Sequence, residues 1–315
     1  MRCVILDDYQ QVATSYADWS LLDGAEVTSV SEHLEGETLV DALAGAAVVI
    51  VMRERTPVTS ALLDRLPELR LVVTSGMRNA AIDLDACRER GIAVCGTTSR
   101  STPPVELTWA LVLGLVRHLG AESTAFREGG PWQSTVGVDL AGATLGVVGL
   151  GKIGRRVADI GRAFGMEVLG WSPHLTDERA AEAGARRAGS LAELMAAADV
   201  VTLHLVLSDS TRGLVGAPEL AAMRPSAYLV NTSRAGLVDT DALLDALRAG
   251  RIAGAGLDVF DEEPLPTDHP LRSLPQVLAT PHLGYVTAAN YRTYFAEAVE
   301  DVAAWLAGTP TRLLT

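Results

Sequence analysis

Cysteine is scarce in this chain, with Cys3, Cys87 and Cys95 the only three in 315 residues. They form no CxxC pair and no metal-ligand spacing, and an odd number is a poor disulfide framework. They read as reduced, packed thiols, and no metal site is expected. Basic side chains are also in deficit, 26 Lys and Arg against 39 Asp and Glu, for a formal net charge of -13. That balance argues against a nucleic acid or an anionic membrane surface as partner, and an anionic substrate would need locally placed arginines. Long apolar runs are missing too: the most apolar helical stretch, Thr108 to Val116, ends at Arg117 and is too short to span a bilayer. The opening "MRCVILDDYQ" has no signal-peptide pattern, so a cytoplasmic protein is expected. Neither internal repeats nor low-complexity linkers occur. What the chain does have is a hydrophobic fraction of 48%, enough at this length for a substantial core and two domains.

Short β-branched and aliphatic runs organise the first hundred residues: "CVIL", "AEVTSV", "AVVIVM", "LRLVVT" and "IAVC". Helical stretches such as Glu37 to Ala44 and Ser60 to Leu66 lie between them, an alternation that predicts a mostly parallel sheet covered on both faces. A second series runs from "TLGVVGL" through "EVLGW", "ADVVTLHLV", "AYLVNTS" and "IAGAGLDVF" to "QVLATPHLG". The fold class expected is therefore α/β, with two doubly wound parallel-sheet domains. Residues 102 to 120 join them as a helix opened by Pro103 and Pro104, where proline is tolerated. Residues 128 to 142, rich in glycine, read as an extended arm. The last helix, Ala288 to Ala307, has no strand of its own and must cover an apolar face, most naturally that of the first domain. The boundaries expected are 1–99 with 285–315 for one domain and 100–284 for the other.

Gly149-Leu150-Gly151-Lys152-Ile153-Gly154 matches GxGxxG between a strand and a helix. Glycines there allow a tight turn, close approach of the backbone to a pyrophosphate and close helix–strand packing, while the helix start offers free amides to phosphate. Six histidines compete for proton transfer. His204 lies inside an apolar strand and reads as packed and hydrogen-bonded; His33, His118 and His174 have no obvious partner; His269 sits in a proline-rich loop. His282 instead follows the strand "QVLAT", where ligands collect beyond the ends of parallel strands. Arg234 and the acids Asp258, Asp261, Glu262 and Glu263 follow two other strand ends. Solvated loop charge is the ordinary fate of such residues taken singly. Together, an arginine for a carboxylate and an imidazole backed by an acid suit hydride transfer at a 2-keto acid.

The segments "VVGLGKIGRRVADIGRAFGMEVLGWSP", "YLVNTSRAGLVD", "GLDVFDEEPLP" and "TPHLGYVT", in this order, resemble the D-isomer-specific 2-hydroxyacid dehydrogenase family, and within it the phosphoglycerate-dehydrogenase-like bacterial branch. The resemblance implies a flavodoxin-like substrate domain, a Rossmann dinucleotide domain, a cleft between them, and a homodimer formed through the dinucleotide domains. It implies NAD or NADP as cofactor and a small anionic 2-keto or 2-hydroxy acid as substrate. By match to the motifs, Arg234 would bind the substrate, His282 would be the acid/base and Glu263 its partner. Asp258 would face the nicotinamide amide, with Thr232 and Ser233 also at the cofactor. In "TSGMRNAAIDL" the backbone around Ser75, Gly76 and Met77 would hold the carboxylate, although Arg78 and Asn79 alter the family's "GxGxDN" pattern. Phosphoglycerate dehydrogenase and glyoxylate or hydroxypyruvate reductase are the activities implied. A phosphite dehydrogenase, and a dinucleotide-sensing corepressor of the same fold, are the alternatives; a formate enzyme would carry glutamine in place of Glu263.

Two positions bear on selectivity. Where an NAD-binding fold places an acid at the end of its second strand, this chain has Ser172, Pro173 and His174, which removes the repulsion of a 2′-phosphate and predicts use of both cofactors. Arg53 matches in register the family's arginine for the phosphate of phosphoglycerate, and Arg78 lies at a neighbouring strand end. Either could also be a surface charge, paired with Glu54 or Asp83.

Overall fold

A computed structural model describes residues 1–315 and divides into two compact units, Met1–Arg100 with Val286–Thr315, and Ser101–Tyr285. The first holds five strands, β1 (Arg2–Ile5), β2 (Glu26–Ser29), β3 (Ala46–Val51), β4 (Leu71–Thr74) and β5 (Ala93–Gly96), all parallel in the order β2-β1-β3-β4-β5. This is the flavodoxin-like order. Every residue of β4 is buried, as a central parallel strand covered on both faces requires. The helix Ala288–Leu306, capped where the Thr287 hydroxyl accepts from the Asn290 amide, packs on β4 and on the short helix Ala13–Tyr16. Tyr291, Tyr294, Phe295, Val299 and Val302 fill its buried face, Phe295 lying 6.4 Å from the Trp19 ring. Beyond that helix, residues 312–315 run antiparallel along β5, an edge pairing that no local pattern announces.

The second unit is a seven-stranded parallel sheet of β6 (Thr144–Val148), β7 (Glu167–Trp171), β8 (Arg186–Arg187), β9 (Val200–Leu203), β10 (Tyr228–Asn231), β11 (Gly254–Leu257) and β12 (Val277–Ala279). Its order, β12-β11-β10-β9-β6-β7-β8, reverses between β6 and β9, the position at which open sheets bind ligands. Both sheets match the expected class. Strand β8 escapes the sequence reading because it is two exposed arginines, paired to Leu169 and Gly170 and carrying no hydrophobic signal.

The linking helix is shorter than its composition suggests. It spans Thr102–Val116, and His118, in the left-handed conformation at φ 51°, starts a separate helix over Leu119–Glu128 that buries no residue. All three cysteines are buried; burial pushes the thiol of Cys3 up to about 12 and those of Cys87 and Cys95 to about 11, so these are packing groups and not nucleophiles. No helix is long and apolar enough to cross a membrane.

Two histidines depart from expectation. His33 is paired, its Nδ1 3.1 Å from Asp7 and its Nε2 3.2 Å from Glu35. Asp7, itself buried at the end of β1, lies 26 residues away in sequence, beyond the reach of local inspection. His204 is packed but not hydrogen-bonded through its ring: Nε2 is inaccessible and has no partner, and burial lowers the imidazole to about 4.

Candidate active site

The chemistry-bearing residues of the second unit sit at the carboxyl ends of its strands. After β12, His282 adopts the left-handed conformation at φ 53°, uncommon for a side-chain-bearing residue and a mark of local constraint. The constraint is visible in Asp258, which follows β11 and is fully buried. Its carboxylate accepts from the Thr280 hydroxyl at 2.6 Å, the Leu283 amide at 2.7 Å and the Gly284 amide at 2.8 Å. These donors bracket His282. Burial pushes the Asp258 carboxyl up, opposed by those hydrogen bonds and by the nearby His282. Expected at the nicotinamide, this carboxylate is thus already engaged in shaping the His282 turn.

His282 Nδ1 lies 2.6 Å from Glu263 Oε2, while the other oxygen of Glu263 accepts from the Phe260 amide at 2.9 Å. A carboxylate fixed by a backbone donor in turn fixes the ring, leaving Nε2 without a partner in the chain and available to a reactant. Tyr285 sets its ring edge-on to the imidazole at 5.4 Å. The amide of Phe260 is a contribution that side-chain reasoning could not find.

Arg234 follows β10. Buried Asn231 folds this turn by accepting from the Ser233 amide and donating to the Arg234 carbonyl at 2.9 Å, and the guanidinium donates to the Ser233 carbonyl. Thr232 and Ser233, expected at the cofactor, have their hydroxyls on Thr108 and on the Leu205 carbonyl. They fasten the turn to the helix Thr102–Val116 and to the end of β9.

The dinucleotide motif has the form the chemistry needs. Gly149, at φ +102°, has no room for a Cβ against the His204 carbonyl, and a Cβ on Gly154 would collide with the Gly149 carbonyl. A Cβ on Gly151, by contrast, would meet nothing within 4 Å, so open space lies over the turn. The helix Lys152–Ala163 starts there with no side-chain cap, and the first-turn amides of Lys152, Ile153 and Gly154 lack helical acceptors. A pyrophosphate fits this cradle. Leu150 covers Gly170 of β7, whose end turns at Ser172; Ser172 is half-buried, and Pro173 and His174 are exposed.

In the first unit the loop after β4 has fewer open amides than the expectation of Ser75, Gly76 and Met77. The Ser75 amide donates to the Val51 carbonyl at 3.2 Å and the Gly76 amide to the Thr97 hydroxyl at 3.0 Å, so neither is free for a carboxylate. Parallel-strand pairing and buried Thr97 have taken them, leaving the amides of Met77 and Arg78 unengaged. Asn79 pins the loop by donating to the Arg53 carbonyl and to Thr74. Arg53, at φ 54°, lays its guanidinium against Gly76, where a Cβ would collide with it, and sits 3.6 Å from Glu54. Arg78 is exposed.

The sequence profile described as "D-isomer specific 2-hydroxyacid dehydrogenase, NAD binding domain" matches residues 109–284. A D-3-phosphoglycerate dehydrogenase of Methanocaldococcus jannaschii is 36% identical over 90% of this chain and 54% of its own length. A glyoxylate reductase of Aeropyrum pernix is 39% identical over 78% of this chain and 76% of its own length. The chain thus spans about half of the phosphoglycerate dehydrogenase and most of the reductase. A crystal structure of a phosphoglycerate oxidoreductase from Vibrio cholerae superimposes with a TM-score of 0.93 at 40% identity, covering 98% of this chain and 99% of that one. From its NAD-binding domain, its two parallel sheets and these relatives, the chain belongs to the D-isomer-specific 2-hydroxyacid dehydrogenase family.

Proposed function

We propose that the chain interconverts a small anionic 2-keto acid and its D-2-hydroxy acid, with His282 as proton donor and acceptor. The observation that carries this reading is the His282–Glu263 pair at 2.6 Å with Nε2 left open at the strand ends of the dinucleotide sheet. The nicotinamide cofactor, when bound, supplies or accepts the hydride. In the reducing direction protonated His282 gives its Nε2 proton to the oxygen of the substrate carbonyl, and Glu263, bonded to Nδ1, holds the ring in place. Arg234 holds the carboxylate and carbonyl oxygens of the substrate with a planar fork that lysine cannot reproduce. Within the first unit, the unengaged amides of Met77 and Arg78 suit a substrate carboxylate. Arg53 adds positive charge beside them, which favours substrates carrying a second anionic group, such as 3-phosphohydroxypyruvate over hydroxypyruvate.

A turnover screen with glyoxylate, hydroxypyruvate, 2-ketobutyrate and 3-phosphohydroxypyruvate, using both reduced cofactors, tests the reading. Steady reduction of at least one supports it, and no turnover of any overturns it.

Both cofactors are expected to work, because Ser172 can hydrogen-bond a ribose but does not repel a 2′-phosphate. Ser172→Asp should shift kcat/KM toward NAD by roughly tenfold or more, on the order of one like-charge contact in a confined site. Strict NAD use by the wild type with no response to the substitution would place the ribose elsewhere.

The proposed assembly is a homodimer through the second unit. Phe126 and Trp132, with ring centroids 6.2 Å apart, are exposed on the helix Leu119–Glu128 and the arm that follows it, as are Leu119, Val136 and Val138. An exposed apolar group of this size is unusual unless something covers it. Trp132→Glu combined with Phe126→Glu should convert a dimer to a monomer in sedimentation analysis; a wild-type monomer at micromolar concentration would remove the proposal.

A further inference from the structure

The Gly76–Met77 loop is braced from behind by a part of the chain more than two hundred residues away. Gly96, the last residue of β5, is the point of contact. A Cβ on it would lie 2.7 Å from the Gly76 carbonyl, 3.1 Å from Met77 Cα and 3.2 Å from Leu314 Cδ1, so the loop and Leu314 converge over this glycine and leave no room for a side chain. Leu314 is placed there by strand pairing: its amide donates to the Val94 carbonyl at 2.8 Å, and the Gly96 amide donates to the Arg312 carbonyl at 3.0 Å. The next residue of the loop's support, Thr97, accepts from the Gly76 amide, so both faces of the loop's backbone are referenced to the end of β5.

Arg312 keys this segment to the helix Ala288–Leu306. It adopts the left-handed conformation at φ 50°, and its guanidinium donates to Asp301 at 3.0 Å, to the Glu297 carbonyl at 2.9 Å and to Glu300 at 3.0 Å. Asp301 is fully buried and also accepts from Thr311, while Glu297 grips Thr98 through both its amide and its hydroxyl. A charged, buried anchor of this kind is a costly way to hold an edge pairing that adds little core of its own. Its geometric effect is to fix the register of Leu314 against Gly96.

We propose that residues 312–315 position the Ser75–Arg78 loop for substrate binding, with Leu314 and Arg312 as positioning residues. This rests on the reading above that the loop contributes amides to the substrate carboxylate. Shortening Leu314 leaves space over Gly96, beside the loop, into which the loop relaxes, and the Met77 and Arg78 amides then move away from their acceptor. Because those contacts are made by substrate and transition state alike, the loss falls on KM and not on kcat. Arg312→Lys acts the same way, since an ammonium cannot serve Asp301, Glu300 and the Glu297 carbonyl together.

The test compares wild type, Leu314→Ala, Leu314→Met, Arg312→Lys and Thr97→Val in steady-state reduction of the best keto acid, with cofactor binding followed by nicotinamide fluorescence and thermal unfolding recorded in parallel. Thr97→Val perturbs the loop directly and reports on the underlying reading. Leu314→Ala and Arg312→Lys should raise KM for the keto acid roughly three- to tenfold, with kcat and cofactor affinity within about twofold and with Leu314→Met near wild type. If Thr97→Val raises KM while Leu314→Ala and Arg312→Lys only lower the melting temperature, the segment is merely structural and the proposal fails. If Thr97→Val also leaves KM unchanged, the loop does not bind the carboxylate and both statements fall.

Discussion

Replacing His282 with alanine is expected to lower kcat by roughly a hundred- to ten-thousand-fold, the loss typical of a missing general acid. The substitution removes the only group at the strand ends that combines an open nitrogen with a carboxylate behind it, and it leaves the glycine turn untouched. Cofactor affinity should therefore hold within about twofold, which separates a chemical loss from a folding loss. Glu263→Gln should fall between the two proteins. Its amide oxygen can still accept from the Phe260 amide, but the contact to His282 Nδ1 is no longer made by a carboxylate, so the ring is held less firmly. Near-wild-type turnover in His282→Ala, with saturating cofactor, would remove His282 from the mechanism.

Asp258→Asn carries the second large effect, and it follows from counting acceptors. The carboxylate receives three donors on two oxygens, two of them backbone amides. Asparagine has one oxygen, so whichever way its amide turns, an N–H group faces another N–H group in a site without solvent. Leaving a buried donor unpaired costs about 1–3 kcal/mol. The strain falls on residues 283 and 284, next to a histidine held at φ 53°, so relaxation of this turn swings the imidazole away from Glu263. The expected result is a melting temperature lower by several degrees and, separately, a fall in kcat of at least about tenfold, measured well below the melting range. A variant that loses stability but keeps kcat would show that the turn holds His282 without help from Asp258.

Much of the architecture can be read from local pattern because parallel strands buried on both faces are written as unbroken apolar runs. "AVVIVM" and "LRLVVT" are β3 and β4 almost as quoted, and GxGxxG marks a turn that admits nothing larger at Gly149 and Gly154. His282, Glu263 and Arg234 stand out because each follows such a run. Non-local partners are another matter. The Gly76 amide is lost to a threonine just past the neighbouring strand, and no inspection of "TSGMRN" discloses it. Asp258 is visible as a strand-end acid, yet its use depends on three donors in 280–284 that only the fold brings to it. His33 finds Asp7 for the same reason, through β1 and β2 lying side by side. Arg186–Arg187 is a strand by virtue of its neighbour alone.

The first unit is also a problem in timing. Its five strands are complete by residue 96, but the helix that covers β4 begins at residue 288. On a ribosome adding ~5–20 residues each second, that gap is a wait of about 10–40 s. Throughout it, the apolar face awaiting Tyr291, Phe295 and Val299 is open to other chains, while Ser101–Tyr285, an uninterrupted stretch, can fold as soon as it emerges. The inserted unit then acts as a tether: once folded, it replaces a long flexible loop with a short span and so reduces the entropy lost when the helix closes on the sheet. Folding order is in this way imposed by chain order, and exposure of the early sheet to aggregation ends only when the late helix docks.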